Sequence, residues 1–207
     1  MLNKIRDYLD FAGLQYRNPD KSGDEREKML ELRHKGQETR KAFTELAKAF
    51  QANHPEWQLQ QTSQWMNQAQ RLRPHFWVYL QRDGQVTEPM LALRLYGTST
   101  DFGISLEVSF IERKKDEQTL GKQVKVLEIP TVEGIYYLVY SDDQSQRWDA
   151  NEENRQILRN KLSNQEVRKV LVKADVSFIE NQSLEVILEK LDEAYERLLP
   201  YYQATRG

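Results

Sequence analysis

The sequence predicts an α+β protein in which helices cover an antiparallel sheet on one face. Residues 75–113 form a three-strand meander in this interpretation, and helical patterns precede and follow it along the chain. The clearest strand lies at 102–110, where apolar residues alternate with small or polar ones, and a period of two predicts one buried and one wetter face. No repeat or change of composition divides the chain, so we expect one domain over 1–207.

The meander is divided by two turn signals. Asp83-Gly84 separates two apolar runs, and both residues accept the positive φ of a type I′ hairpin turn. A second turn is expected from Gly97 to Thr100. Pro89 stands at the start of the middle strand, and because proline donates no ladder hydrogen bond, we expect a sheet edge or a bulge there.

Residues 1–52 are expected to be mainly helical. Apolar residues recur at helical spacing up to Gly13, and a second apolar stripe predicts one long helix over 24–52. Gly36 lowers helix stability by up to ~1 kcal/mol relative to alanine, so a kink or a split at that position stays open. The glutamine-rich segment 57–70 fits a strand or a surface loop, and this choice stays open too.

Further strands are expected after the meander. The β-branched run at 124–129 predicts one, and the run at 135–140, apolar on both faces, predicts another inside the sheet. Residues 141–150 are expected to form a polar, acidic loop. At 163–179 the sequence supports two structures, since Ser163 and Glu166 form a capping-box pattern while 170–179 alternates as a strand does.

Residues 151–202 are otherwise expected to be mainly helical. A first helix is predicted at 151–162. The last one begins after Ser183, a good N-cap residue, and carries a continuous apolar stripe from Leu184 to Tyr202, with Pro200 near its end. Tyr201 and Tyr202 follow this proline, and we expect them to leave apolar surface on which two copies of the chain associate.

Composition excludes several classes of protein. The chain has no cysteine, which excludes disulfides, zinc–thiolate sites and thiol nucleophiles. Its net charge of −2 gives no general attraction to nucleic acid or anionic membranes. No apolar run approaches the ~20 residues of a membrane span, and the charged N-terminus lacks an apolar signal core. A cytoplasmic protein without a membrane partner is therefore expected.

The motifs of common catalytic sites are missing. Neither glycine-rich phosphate loop occurs, and the three histidines lack metal or triad spacing, so we expect no cofactor and no metal site. The one enzymatic alternative is a metal-dependent nuclease that uses Glu107 or Glu112 with Lys114, because Glu112 and Lys114 match an E-x-K pattern. Asp101 as the second acid would lie ~36 Å from Glu112 along a straight strand, too far to share an ion.

A surface of aromatic and basic residues is the remaining functional signal. Strand positions opposite the apolar rows include Trp77, Tyr79, Arg94 and Tyr96, and the nearby Trp65 and Arg73 extend the set. Such residues on an open sheet grip a peptide or stack on bases, whereas under a helix they form a second core layer. We therefore expect a non-catalytic binding protein, with another protein or a second copy of the chain ahead of nucleic acid as its partner.

The order of elements also carries a resemblance. N-terminal helices, a tryptophan-containing segment and a meander together resemble the N-terminal recognition domains of modification-dependent restriction systems. No motif of that family matches residue by residue, so no site residue is carried over. The resemblance implies, as the alternative function, a nucleic-acid recognition module or metal-dependent nuclease of a restriction or defence system.

Overall fold

Within the residues that the structure describes, seven strands form one antiparallel sheet and five α-helices accompany it, which is the predicted α+β class. A computed structural model describes residues 2–82, 84, 87–110, 117–141, 144–178 and 182–206. The helices are α1 (Leu2–Leu9), α2 (Arg26–Asn53), α3 (Glu117–Val124), α4 (Glu152–Ser163) and α5 (Leu184–Thr205). The strands are β1 (Gln58–Leu59), β2 (Trp77–Gln81), β3 (Met90–Gly97), β4 (Phe102–Ser109), β5 (Tyr136–Ser141), β6 (Gln144–Asp149) and β7 (Lys169–Ser177).

The strand order in the sheet is β1-β2-β3-β4-β7-β5-β6. The meander β2–β3–β4 and the hairpin β5–β6 are local in sequence, and β7, the last strand of the chain, lies between them. The register places Trp77 opposite Arg94, and it places Glu107 opposite Ala92 on one side and Lys173 on the other. Residues of several neighbouring strands thus reach one face of the sheet.

The other face of the sheet packs against the long helices. The apolar row predicted on β4 is buried there from Phe102 to Val108, in one core cluster with the apolar stripes of α2 and α5. The other row of β4, which was predicted to be wetter, is buried as well, so this part of the prediction was wrong. Phe43 and Phe50 of α2 and Leu191 and Leu198 of α5 are each 0% exposed. This burial explains why the two helices are stable, since most of a helix's stability in a protein comes from packing its apolar face. Every helix in the described ranges is too short or too polar to cross a membrane.

Two predicted elements were wrong. Residues 124–129 are not a strand: α3 ends at Val124, and a 3₁₀ turn follows at Lys125–Glu128. This turn buries the adjacent residues Val126 and Leu127 in the core, whereas a strand would send them to opposite faces. The predicted loop at 141–150 contains the edge strand β6, which pairs with β5 along its whole length.

The open alternatives are settled within the described residues. The helix α2 runs unbroken through Gly36. The segment 57–70 contains the two-residue strand β1, and irregular backbone follows it. At 163–179 the strand prevails, since α4 ends at Ser163 and β7 covers the alternating residues.

The C-terminal helix α5 runs through Pro200, as the predicted stripe requires, and ends at Thr205. Tyr201 and Tyr202 are 0% exposed, so they supply no surface for association. Asp83 of the first predicted turn lies outside the described residues.

Candidate binding face of the sheet

The side of the sheet opposite the core, called the polar face below, carries most of the residues that the sequence analysis selected. Alternation along each strand and the register between strands bring its members together. They include Trp77 and Tyr79 of β2, Arg94 and Tyr96 of β3, Glu107 of β4, Lys173 and Asp175 of β7, Tyr136 of β5 and Arg147 of β6.

A buried carboxylate with two cations forms the centre of the polar face. The Glu107 side chain is 1% exposed, its Oε1 accepts a hydrogen bond of 2.9 Å from Arg94 Nη2, and its Oε2 lies 3.1 Å from Lys173 Nζ. Burial acts to raise the pKa of Glu107, but the charges of Lys173 and Arg94 more than offset it and hold the pKa below its usual value. Two cations on one carboxylate leave a net positive charge.

The indole of Trp77 is the aromatic group nearest this centre. The guanidinium carbon of Arg94 lies 5.4 Å from the ring centroid, and that of Arg73 lies 4.7 Å from it. Arg73 is held in this position by a hydrogen bond of 3.2 Å from its Nε to the Met66 carbonyl. Both contacts are within cation–π range, and Trp77 remains half-buried rather than covered.

A second aromatic group lies on the far side of the centre. The Tyr136 hydroxyl donates to Asp175 Oδ1 at 3.0 Å, and Arg147 Nη1 lies 2.7 Å from Asp175 Oδ2. The Arg147 guanidinium stacks 3.6 Å from the centroid of the Tyr136 ring. Burial, with the nearby Asp175 carboxylate, raises the pKa of Tyr136, so the phenol stays protonated and acts as a donor.

Tyr96 lies at the end of the polar face, next to the β3–β4 turn. Its side chain passes over Gly103 of β4, and its hydroxyl lies 3.1 Å from Ser177 Oγ of β7. A Cβ added at Gly103 would lie 2.7 Å from this hydroxyl and 2.2 Å from the Val176 carbonyl oxygen. Glycine at this position therefore allows the tyrosine to cross the strand.

Trp65 is not part of the polar face, which corrects the sequence analysis. Its side chain is 7% exposed and packs edge-on against Tyr16, with ring centroids 4.9 Å apart. The Tyr8 hydroxyl donates to the Trp65 carbonyl at 2.8 Å and fixes this segment to α1. Trp65 therefore belongs to the core, where a large aromatic side chain is usually found.

Sequence reasoning missed the half of the polar face that β5, β6 and β7 supply. Lys173 and Asp175 alternate along β7 with the apolar residues Val172 and Ala174, so the two pairs lie on different faces of the sheet. This alternation was a usable signal once 170–179 was taken as a strand. Tyr136 was hidden because its strand is apolar on both faces. Its polar partners come from other strands, and only the register reveals them.

The charge of the polar face has the opposite sign to that of the chain. Its strand positions carry four cationic and three acidic side chains, and Arg73 beside Trp77 adds a fifth cation, whereas the whole chain has a net charge of −2. The cationic residues are Arg73, Arg94, Arg147, Lys169 and Lys173, and the acidic residues are Glu107, Asp149 and Asp175. Anionic ligands are therefore favoured at this surface.

The described residues do not support the alternative of a metal-dependent nuclease. Both oxygens of Glu107 are engaged by cations, so this carboxylate is not free to bind a metal ion. Glu112 and Lys114 lie outside the described residues. Within the described ranges, no three histidine or acidic side chains are grouped in a way that would hold a metal ion.

Comparison with known proteins gives no relative to guide the interpretation: no protein family and no curated protein matches this chain. The function is therefore inferred from the geometry of the polar face alone.

Proposed function

We propose that the protein binds single-stranded nucleic acid on its polar face and does so without catalysing a reaction. The observation that carries this proposal is the half-buried Trp77 ring with the guanidinium groups of Arg73 and Arg94 at 4.7 and 5.4 Å, on a surface with an excess of positive charge. Proteins that bind single strands combine aromatic platforms for unpaired bases with cations for phosphates.

The positions of Trp77 and Arg147 support this ligand. Trp77 on β2 and Arg147 on β6 are separated by five strand intervals, which is ~24 Å at ~4.8 Å for each interval. Tyr136 is buried beneath Arg147, so it supports this guanidinium rather than a base. A strand that crosses the sheet would meet the Trp77 ring and Arg94 on one side and the exposed Arg147 guanidinium on the other.

A protein partner, which the sequence analysis placed first, receives less support from the described surface. Tyr201 and Tyr202 are buried. The large apolar side chains that are exposed in the described ranges, Leu14, Val132 and Val186, belong to three separate segments of the chain. Protein-binding sites are marked by contiguous apolar patches, so we place nucleic acid ahead of a protein partner.

Fluorescence anisotropy with labelled single-stranded oligonucleotides tests the proposal. We expect single strands to bind more tightly than duplex, with log K falling by about 0.7 per log unit of salt for each phosphate contacted. Trp77→Ala should weaken binding by about 1–3 kcal/mol because one stacking platform is removed, and Trp77→Phe should retain most of the affinity.

Arg159→Ala serves as the matched control, since Arg159 is exposed on α4, away from the polar face. It should bind as the wild type does. Absence of binding at micromolar protein and low salt would overturn the proposal, and so would equal affinities of Trp77→Ala and the wild type.

A further inference from the structure

A groove lies beside the polar face, between α2 and the segment that follows β1. Its volume is about 530 Å³, and Gln60, Gln61 and Thr62 form one wall. The opposite wall consists of α2 residues, among them Arg40 and Lys48. The groove is lined by two cations and no acidic residue.

Hydrogen bonds connect the two walls of the groove and fix their relative positions. Arg40 donates from Nε to the Ser63 carbonyl at 2.9 Å and from Nη2 to the Thr62 carbonyl at 2.8 Å. Thr44 Oγ1 lies 2.8 Å from Thr62 Oγ1. Lys48 is exposed, and its ammonium group makes no hydrogen bond or ion pair with the residues that the structure describes. The ammonium group of Lys48 is therefore available to bind an anion, in a groove whose walls are fixed by the hydrogen bonds of Arg40 and Thr44.

The groove and the polar face share a wall. Gln60 lines the groove, and its Nε2 donates at 3.1 Å to Oε1 of Gln81, which belongs to the polar face. Ser63, whose carbonyl is held by Arg40, accepts a hydrogen bond of 3.1 Å on its Oγ from the Trp77 amide. The β1 edge alone therefore separates the groove from the Trp77 side of the polar face.

We infer that this groove is a second phosphate-binding site, which takes the part of a single strand that extends past Trp77 over the β1 edge. The inference rests on the proposed function of the polar face. From β6 to β2 the polar face is five strand intervals wide, ~24 Å. A short oligonucleotide occupies this width alone, whereas a longer one continues over β1 and meets Lys48.

Oligonucleotides of two lengths test the inference, because single-strand sites range from about 4 to about 16 nucleotides. We expect Lys48→Glu to weaken binding of the long oligonucleotide by about fivefold or more at low salt, and to reduce its salt slope by about 0.7 for each phosphate that the variant no longer binds. Binding of the short oligonucleotide should stay unchanged. Lys28→Glu, at an exposed position on the opposite side of α2, is the matched control and should change neither.

The outcomes separate the two proposals. If the long oligonucleotide binds Lys48→Glu as tightly as it binds the wild type, while Trp77→Ala still weakens it, the groove has no role and the polar face keeps its function. If Lys48→Glu weakens the binding of the short and the long oligonucleotide equally, the expected length dependence is contradicted and the inference fails. If the wild type binds neither length, both proposals fail together.

Discussion

Replacing Glu107 by glutamine removes the negative charge that Arg94 and Lys173 share, while the size of the side chain is kept. The carboxylate is 1% exposed, with cationic nitrogens at 2.9 and 3.1 Å, and the Lys173 side chain is only 7% exposed. Removing one partner of such a buried group leaves the others without a counter-charge, which costs about 3–5 kcal/mol. We expect Glu107→Gln to lower the free energy of unfolding by this amount.

Urea unfolding followed by tryptophan fluorescence measures this loss. For a chain of about this length, 1 kcal/mol shifts the melting temperature by about 2–4 °C, so the expected decrease is roughly 6–20 °C. Glu45→Gln, at an exposed position on α2, is the control and should stay within about 0.5 kcal/mol of the wild type. A loss below about 1 kcal/mol for Glu107→Gln would refute the view that the two cations depend on this carboxylate.

The stability difference between the wild type and Glu107→Gln should depend on pH. Because the pKa of Glu107 is lowered in the folded protein, its charge stabilises the fold above the unfolded-state value of about 4.3, and this contribution is lost as the pH falls through the folded pKa. The stabilities of the wild type and Glu107→Gln should therefore differ at pH 7 and converge in acid below pH ~4. Urea titrations at a series of pH values provide the measurement, and a constant difference would contradict it.

Four substitutions at three positions test the packing and capping of helices, all by urea unfolding. A Cβ at Gly36 would lie 2.5 Å from Cε3 of Trp65, so Gly36→Ala should cost about 1–3 kcal/mol, more than alanine's gain in helix propensity. A Cβ added at Gly121 in α3 would have no neighbour within 4 Å among the described residues, so Gly121→Ala should stabilise by roughly 0.5–1 kcal/mol. Equal effects at the two glycines would contradict this reasoning. Ser183 Oγ accepts the Val186 amide at 3.4 Å, so Ser183→Ala should cost ~1 kcal/mol and Ser183→Gly only a few tenths.

Elements with a regular apolar pattern could be predicted from the sequence. The strand β4 was recognisable because its apolar residues alternate with small or polar ones, although both of its faces are buried, and α2 and α5 were recognisable because their apolar stripes face the core. The strand β6 was missed because it is an exposed edge strand, where no apolar alternation is required. Residues 124–129 were mistaken for a strand because β-branched residues favour strands only where packing agrees, and Val126 packs in a helical turn.

The binding face could be predicted only in part. Trp77 and Arg94 belong to adjacent strands of a local meander, so their common face follows from alternation and the turn between them. The contact between Glu107 and Lys173 joins β4 to β7, which are far apart in the sequence, and no local pattern specifies that register. The site residues that are brought together by long-range pairing therefore remained hidden.

The position of β7 between β4 and β5 has a consequence for folding. During synthesis the meander and the β5–β6 hairpin emerge before β7 does, and until β7 inserts, each has an unpaired edge that is open to association with other chains. Lys173 reaches Glu107 only at that last step. A nascent or truncated chain that ends before β7 therefore contains Trp77 and Arg94 but leaves Glu107 without Lys173, one of its two cations.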